Sequence, residues 1–147
     1  MLARLELREE VAAPASMVFR LLSASERLPE LCPRLGRVAV IWRGRGLAFS
    51  RWETRLGSRL LTWTQRDTFD RGRWLVGYRL IYGDLASLEG EWAVEEACEC
   101  SSLLRASLRL EPHPPDAKLA LPWRLSMLRN LRAVIEGVRA RLEARPD

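Results

Sequence analysis

At 147 residues, 48% hydrophobic and 29% charged, the chain has the size and composition of one globular domain spanning residues 1–147. No apolar run approaches the ~20 residues that cross a bilayer, and Met1-Leu2-Ala3-Arg4-Leu5-Glu6 lacks the apolar stretch of a secretory leader, so a cytoplasmic location is expected. The net charge of +5 rests on arginine, Lys118 being the only lysine, and the arginines are dispersed among glutamates; DNA is therefore not an expected partner, while a ribosomal or protein partner stays open.

The first strand shows in the alternation of Ala3, Leu5, Leu7 and Val11 with Arg4, Glu6, Arg8 and Glu10. Pro14 ends it, because proline cannot donate to a ladder and is tolerated where a helix begins. Met17, Val18, Leu21 and Leu22 recur at helical spacing, and Ser25 is a candidate N-cap for a second short helix from Glu26 to about Leu31. Val38–Trp42 and Leu47–Thr54 flank Gly44-Arg45-Gly46, a hairpin signal. Four further strands are expected at Arg59–Phe69, Trp74–Tyr82, Leu85–Glu95 and Leu103–Leu110. Turn chemistry separates them at Gly57, Asp70-Arg71-Gly72, Gly83-Asp84 and around Cys98. Trp74, Val76, Tyr78, Leu80 and Tyr82 predict one apolar face on their strand, with Arg79 on the solvent side.

Pro112, Pro114 and Pro115 close the sheet section, and a helix follows from about Leu121 to Ala144. Leu128, Leu131, Ile135, Val138 and Leu142 form its apolar stripe, widened by Met127 and Val134. Arg132 with Glu136 and Arg139 with Glu143 are i,i+4 pairs, each worth a few tenths of a kcal/mol. Gly137 costs about 1 kcal/mol in a helix interior; its place at the edge of the stripe predicts a close backbone approach. The expected fold is thus α+β: a seven-stranded curved antiparallel sheet wrapped around a long C-terminal helix, with two short helices after strand 1. Between sheet and helix such a fold leaves a concave apolar space of the kind that binds small ligands.

Several segments together resemble the START-like (SRPBCC) superfamily, the helix-grip proteins, and within it the polyketide aromatase/cyclases and coenzyme-Q-binding proteins. Val11-Ala12-Ala13-Pro14-Ala15 with Val18-Phe19 resembles the opening strand and helix, and Ser25 to Leu31 the second helical segment. Trp63-Thr64-Gln65-Arg66 with Asp70 resembles the mid-sheet tryptophan strand, Gly83 to Gly90-Glu91-Trp92 the strand after it, and Asn130 an asparagine of the last helix. The resemblance implies binding of a lipid, quinone or polyketide-like molecule by a carrier or sensor, or else cyclase, aromatase or dehydratase chemistry. Departures weigh against the cyclase reaction. Leu28 stands where the aromatase/cyclases place a tryptophan, and Cys32 and Leu35 where aromatics follow. Trp63, Gln65 and Asp67 replace an inward Trp, Ser, Arg pattern, and an acid in place of the arginine reverses the local electrostatics.

On these grounds the expected ligand-binding residues are Leu28, Cys32, Leu35, Trp63, Gln65, Tyr78, Leu80, Trp92, Met127, Asn130, Leu131 and Val134. Trp63, Trp92 and Tyr78 are either cavity walls or plain core. Asp67 has two open readings: an inward carboxyl raised by desolvation and available as acid or base, or a rim carboxylate paired with an arginine. Ser50, Ser58, Ser87 and Ser107 have no histidine placed beside them, so no nucleophile–base pair is expected. Cys32, Cys98 and Cys100 suggest no disulfide framework, and Cys98-Glu99-Cys100 has no second ligand pair, His113 lying far off among prolines. No metal or cofactor is expected. Either a monomer or a homodimer is compatible, with Trp42 and Trp123 as candidate contact residues.

Overall fold

The computed structural model describes residues 3–56, 58–113 and 120–143. β1 (Ala3–Val11) is followed by α1 (Ala15–Ser23), a 3-10 turn (Ser25–Arg27), α2 (Leu28–Leu31) and a second 3-10 turn (Pro33–Leu35). Then come β2 (Arg37–Gly44), β3 (Leu47–Leu56), β4 (Arg59–Asp70), β5 (Leu75–Gly83), β6 (Leu85–Cys98), β7 (Ser101–Pro112) and α3 (Ala120–Leu142). The strands form one antiparallel sheet in the order β1-β7-β6-β5-β4-β3-β2. Gly57, Pro114, Pro115 and Ala144 lie outside the described residues, as does the side chain of Trp123.

Local chemistry explains the helical entry. The Pro14 carbonyl accepts from the Met17 and Val18 amides, starting α1. Its buried face is Ala15, Val18, Phe19 and Leu22. Met17, expected inward, is 47% exposed, because the face turns one residue further to take in the larger Phe19. Ser25 does not cap the second helix through its side chain. It opens the 3-10 turn instead, and its side chain is buried.

The sheet curves because long strands carry single extra residues. Pairing skips Ile41 in β2, Ile81 in β5, and Ala86 and Ala97 in β6. Each such bulge bends its strand and adds twist. The skip at Ile81 corrects the expected β5 face: Val76 is buried and Tyr78 and Leu80 are half-buried, but Tyr82 emerges 65% exposed. Trp74 belongs to the turn rather than the strand, with a φ of 50°, a conformation uncommon for a bulky residue. Val94 donates to its carbonyl at 3.0 Å, holding the turn against β6.

α3 lies across the concave face. Met127, Asn130, Leu131, Val134, Ile135 and Val138 are buried, with Leu128 and Leu142 half-buried beside them. Gly137 meets α2: a Cβ there would fall 2.5 Å from the Leu31 carbonyl oxygen and 2.8 Å from the Leu31 Cβ. Arg139 lies 3.4 Å from Glu143 and 3.8 Å from Glu9 of β1, whereas Arg132 and Glu136 are both exposed and stay apart. A curved sheet closed over one long helix is the helix-grip fold. No helix among the described residues is long and apolar enough to cross a membrane. On the outside, Trp42 is 51% exposed and tilts against Phe49 at 5.8 Å.

Candidate ligand cavity

Period-2 alternation brings one face of every central strand to the same space. Ala48, Ser50, Trp52, Thr54 and Leu56 of β3 face inward, beside Leu61, Trp63, Gln65 and Asp67 of β4. Val76 and Tyr78 of β5, Leu88 and Trp92 of β6, and Leu108 of β7 continue the wall. Leu22, Ser25, Leu28 and Leu35 close one side, and Met127, Asn130, Leu131 and Val134 of α3 form the lid. The cavity measures about 60 Å³. Among the described residues, its lining includes no lysine, arginine or histidine.

Four polar side chains of this wall, Trp52, Trp63, Gln65 and Asp67, are joined in one chain through Ser50 behind them. Trp52 Nε1 donates to Ser50 Oγ at 2.9 Å, and Ser50 Oγ donates to Asp67 Oδ2 at 2.5 Å. From the other side, Trp63 Nε1 donates to Gln65 Oε1 at 2.8 Å, and Gln65 Nε2 donates to Asp67 Oδ1 at 2.6 Å. The two indoles that end the chain stack on one another, centroids 5.9 Å apart and planes within 9°. Asp67 is thus the common acceptor of a buried network, and both its oxygens are in use.

Asp67 is 2% exposed, so the rim reading does not hold: it faces the interior, and its partners are Ser50 and Gln65 rather than an arginine. Burial raises its carboxyl above the usual range, opposed by those two hydrogen bonds and by the charge of Arg43. Arg43 itself is engaged 2.7 Å from Glu26, tying β2 to the 3-10 turn over Ser25. Tyr78, opposite Asp67 in the β4–β5 register, has its hydroxyl raised further, by burial first and by the charges of Asp67 and Glu91 after it. Gly90 makes room for that ring, since a Cβ at Gly90 would collide with the Tyr78 phenol. Of the three buried side-chain polar atoms without a partner among the described residues, one belongs to this lining. Asn130 is 1% exposed, and its Nδ2 meets no protein acceptor.

The sequence pattern of the family described as polyketide cyclase / dehydrase and lipid transport matches residues 11–139. The chain belongs to this family. Among curated proteins, none is similar enough in sequence to count as a match. Among solved structures, the ZhuI aromatase/cyclase from Streptomyces sp. R1128 superposes with a TM-score of 0.87 at 21% identity, over 97% of this chain and 94% of that one. A protein from Thermus thermophilus gives 0.87 at 20% identity, over 96% and 97% of the two chains. A START superfamily protein from Mycobacterium smegmatis gives 0.74 at 19% identity, over 95% and 97%. At these identities the structural likeness carries the fold.

Within this polyketide cyclase/dehydrase family frame, the structure brings Leu28, Leu35, Trp63, Gln65, Tyr78, Trp92, Met127, Asn130, Leu131 and Val134 to the cavity, together with Asp67. Two expected residues do not line it. Cys32 is 1% exposed but sits where α2 ends, its amide bonded to the Leu28 carbonyl, within the surrounding core. Burial raises its thiol above the usual range. Leu80 pairs with Gln65 beside the Ile81 bulge and packs against the core half-buried. Sequence reasoning missed Leu22, Ser25, Trp52, Thr54, Val76, Leu88 and Leu108. Trp52 and Thr54 carried a readable signal, the same alternation that singled out Trp63 and Gln65 one strand away. Ser50 bonds to a carboxylate, and His113 is exposed, 3.3 Å from the Gly83 carbonyl on the sheet rim.

Proposed function

We propose that this protein binds an apolar small molecule between its sheet and α3, as a carrier or sensor. The observation that carries this reading is the cavity wall itself. It is mostly apolar and aromatic, and Trp52, Trp63, Gln65 and Asp67 turn their polar groups into one network, leaving little to do chemistry with and much to receive a hydrophobic ligand. The family's printed description includes lipid transport, which supports the same reading. A cytoplasmic monomer or homodimer remains part of it.

A second reading, cyclase or dehydratase chemistry, is favoured by one observation: a buried carboxyl with a raised pKa on the cavity wall. The family description and the aromatase/cyclase among the similar structures lend it further support. Native mass spectrometry of the freshly purified protein, followed by organic extraction, tests the principal reading. A stoichiometric apolar adduct is the expected result. A clean apo mass, together with failure to take up any added apolar compound, sinks it.

A further inference from the structure

Resting on the binding reading above, we infer that the ligand is compact, neutral and no larger than about one ring, with an acceptor oxygen seated against Asn130 Nδ2. Three features of the cavity give this ligand class, and each restricts a different property.

Size comes first. The cavity of about 60 Å³ is smaller than the roughly 150 Å³ of an engineered cavity that admits benzene. The space is taken by Trp52, Trp63 and Trp92, which all face it. A single ring enters only if these side chains draw back slightly. A fused polycycle or a long acyl chain would have to dismantle the indole stack and break the hydrogen bonds that end on it.

Charge comes second. Among the described residues no basic side chain lines the cavity, and the one acid, Asp67, is already disfavoured as an anion by burial. A ligand carboxylate would be buried beside that acid without a counter-charge from the described lining. A ligand cation finds both Asp67 oxygens occupied by Ser50 and Gln65. The ligand is neutral.

Polarity comes third. A buried donor without an acceptor is destabilising, and Asn130 Nδ2 is such a donor, on a residue 1% exposed in the cavity lid. Trp52 Nε1 and Trp63 Nε1 spend their single hydrogens within the wall, and Gln65 Nε2 spends one of its two on Asp67. Asn130 therefore selects for a carbonyl, ether or hydroxyl oxygen at one place on an otherwise apolar molecule.

Isothermal titration calorimetry on the full chain decides the matter with four probes. Acetophenone and cumene share one heavy-atom skeleton and differ chiefly by a carbonyl oxygen against a methyl group, on a planar against a tetrahedral carbon. Emodin and decylubiquinone represent a fused tricycle and a long-chain quinone. Acetophenone is expected to bind about 10-fold more tightly than cumene, a ratio equal to about 1.4 kcal/mol, with the two large probes weaker than either. Asn130→Leu is expected to erase the acetophenone preference while cumene still binds. The acetophenone–cumene comparison on the unaltered protein stands even if that variant does not fold. Equal binding of the two overturns the role of Asn130. Tighter binding of emodin or decylubiquinone overturns the size limit and leaves the broader binding reading intact. No binding of any probe, with a clean apo mass, overturns both.

Discussion

Asp67 sets the chemistry of the cavity wall through what it accepts. Its folded-state pKa is raised, chiefly by burial, so the folded chain holds this proton to higher pH than the unfolded chain does. By linkage, stability falls as pH rises from the unfolded carboxyl value, about 3.9, through the folded one, and is level above it. Asp67→Asn removes that loss. An amide fits the same place, accepting from Gln65 through its oxygen and donating to Ser50 Oγ, which already accepts from Trp52. Urea denaturation is expected to show the variant as stable as the parent at neutral pH, or more so, with a flatter profile on the acid side. A variant that loses about 2 kcal/mol at pH 7 instead would mean that the ionised carboxylate contributes net stability, against the direction given by its burial. The same variant bears on the catalytic reading, which requires turnover of any identified substrate to collapse with it. At this scale alternation put Trp63, Gln65 and Asp67 on one face, but it left open whether Asp67 points inward or pairs at the rim. It was silent on Ser50 as Asp67's partner, because diagonal contacts between strands depend on register.

At the scale of elements, the helices and strands were legible and the irregularities were not. β1 and α3 follow the periodicities that announce them. The bulge at Ile81 has no local sequence mark, since a skipped residue answers to the pairing of the neighbouring strand, and it reversed the side on which Tyr82 emerges. Gly137 was legible as an oddity and is now explained by contact. Alanine there would gain about 1 kcal/mol of helix propensity but would drive its methyl into the Leu31 carbonyl. Forced overpacking of this kind costs about 1–3 kcal/mol, and backbone yields less readily than a side chain. Gly137→Ala is therefore expected to lower the urea midpoint. A raised midpoint would show that α2 can move away from α3 at little cost.

Across the whole outer face of the sheet, charge is distributed in stripes. On the outer face of the sheet, register places Arg4, Arg109, Glu89, Arg79 and Arg66 in one row across five strands. The next row holds Glu6, Ser107 and Glu91, the one after it Arg8 and Arg105, and the one after that Glu10 and Glu95. Arginines directly opposite one another repel, and the acidic rows on either side offset that repulsion. Arg79 also reaches Glu89 at 3.8 Å in its own row. Such a surface is not the single basic patch that a polyanion needs, despite the surplus of +5. Heparin is expected to release the protein at modest salt with a shallow salt dependence. Retention that weakens steeply with salt would restore a nucleic-acid or ribosomal partner.

The stacked pair of Trp52 and Trp63 has an optical consequence. Indoles 5.9 Å apart and nearly parallel pass excitation between them before either emits, so their light belongs to the pair. Both rings line the cavity, and both fix their N–H groups on the chain that ends at Asp67. Anything that slides between the sheet and α3 must disturb their spacing, their polarity or both. The pair is thus an intrinsic, unlabelled probe set in the cavity wall, its emission overlaid on that of Trp42, Trp74, Trp92 and Trp123.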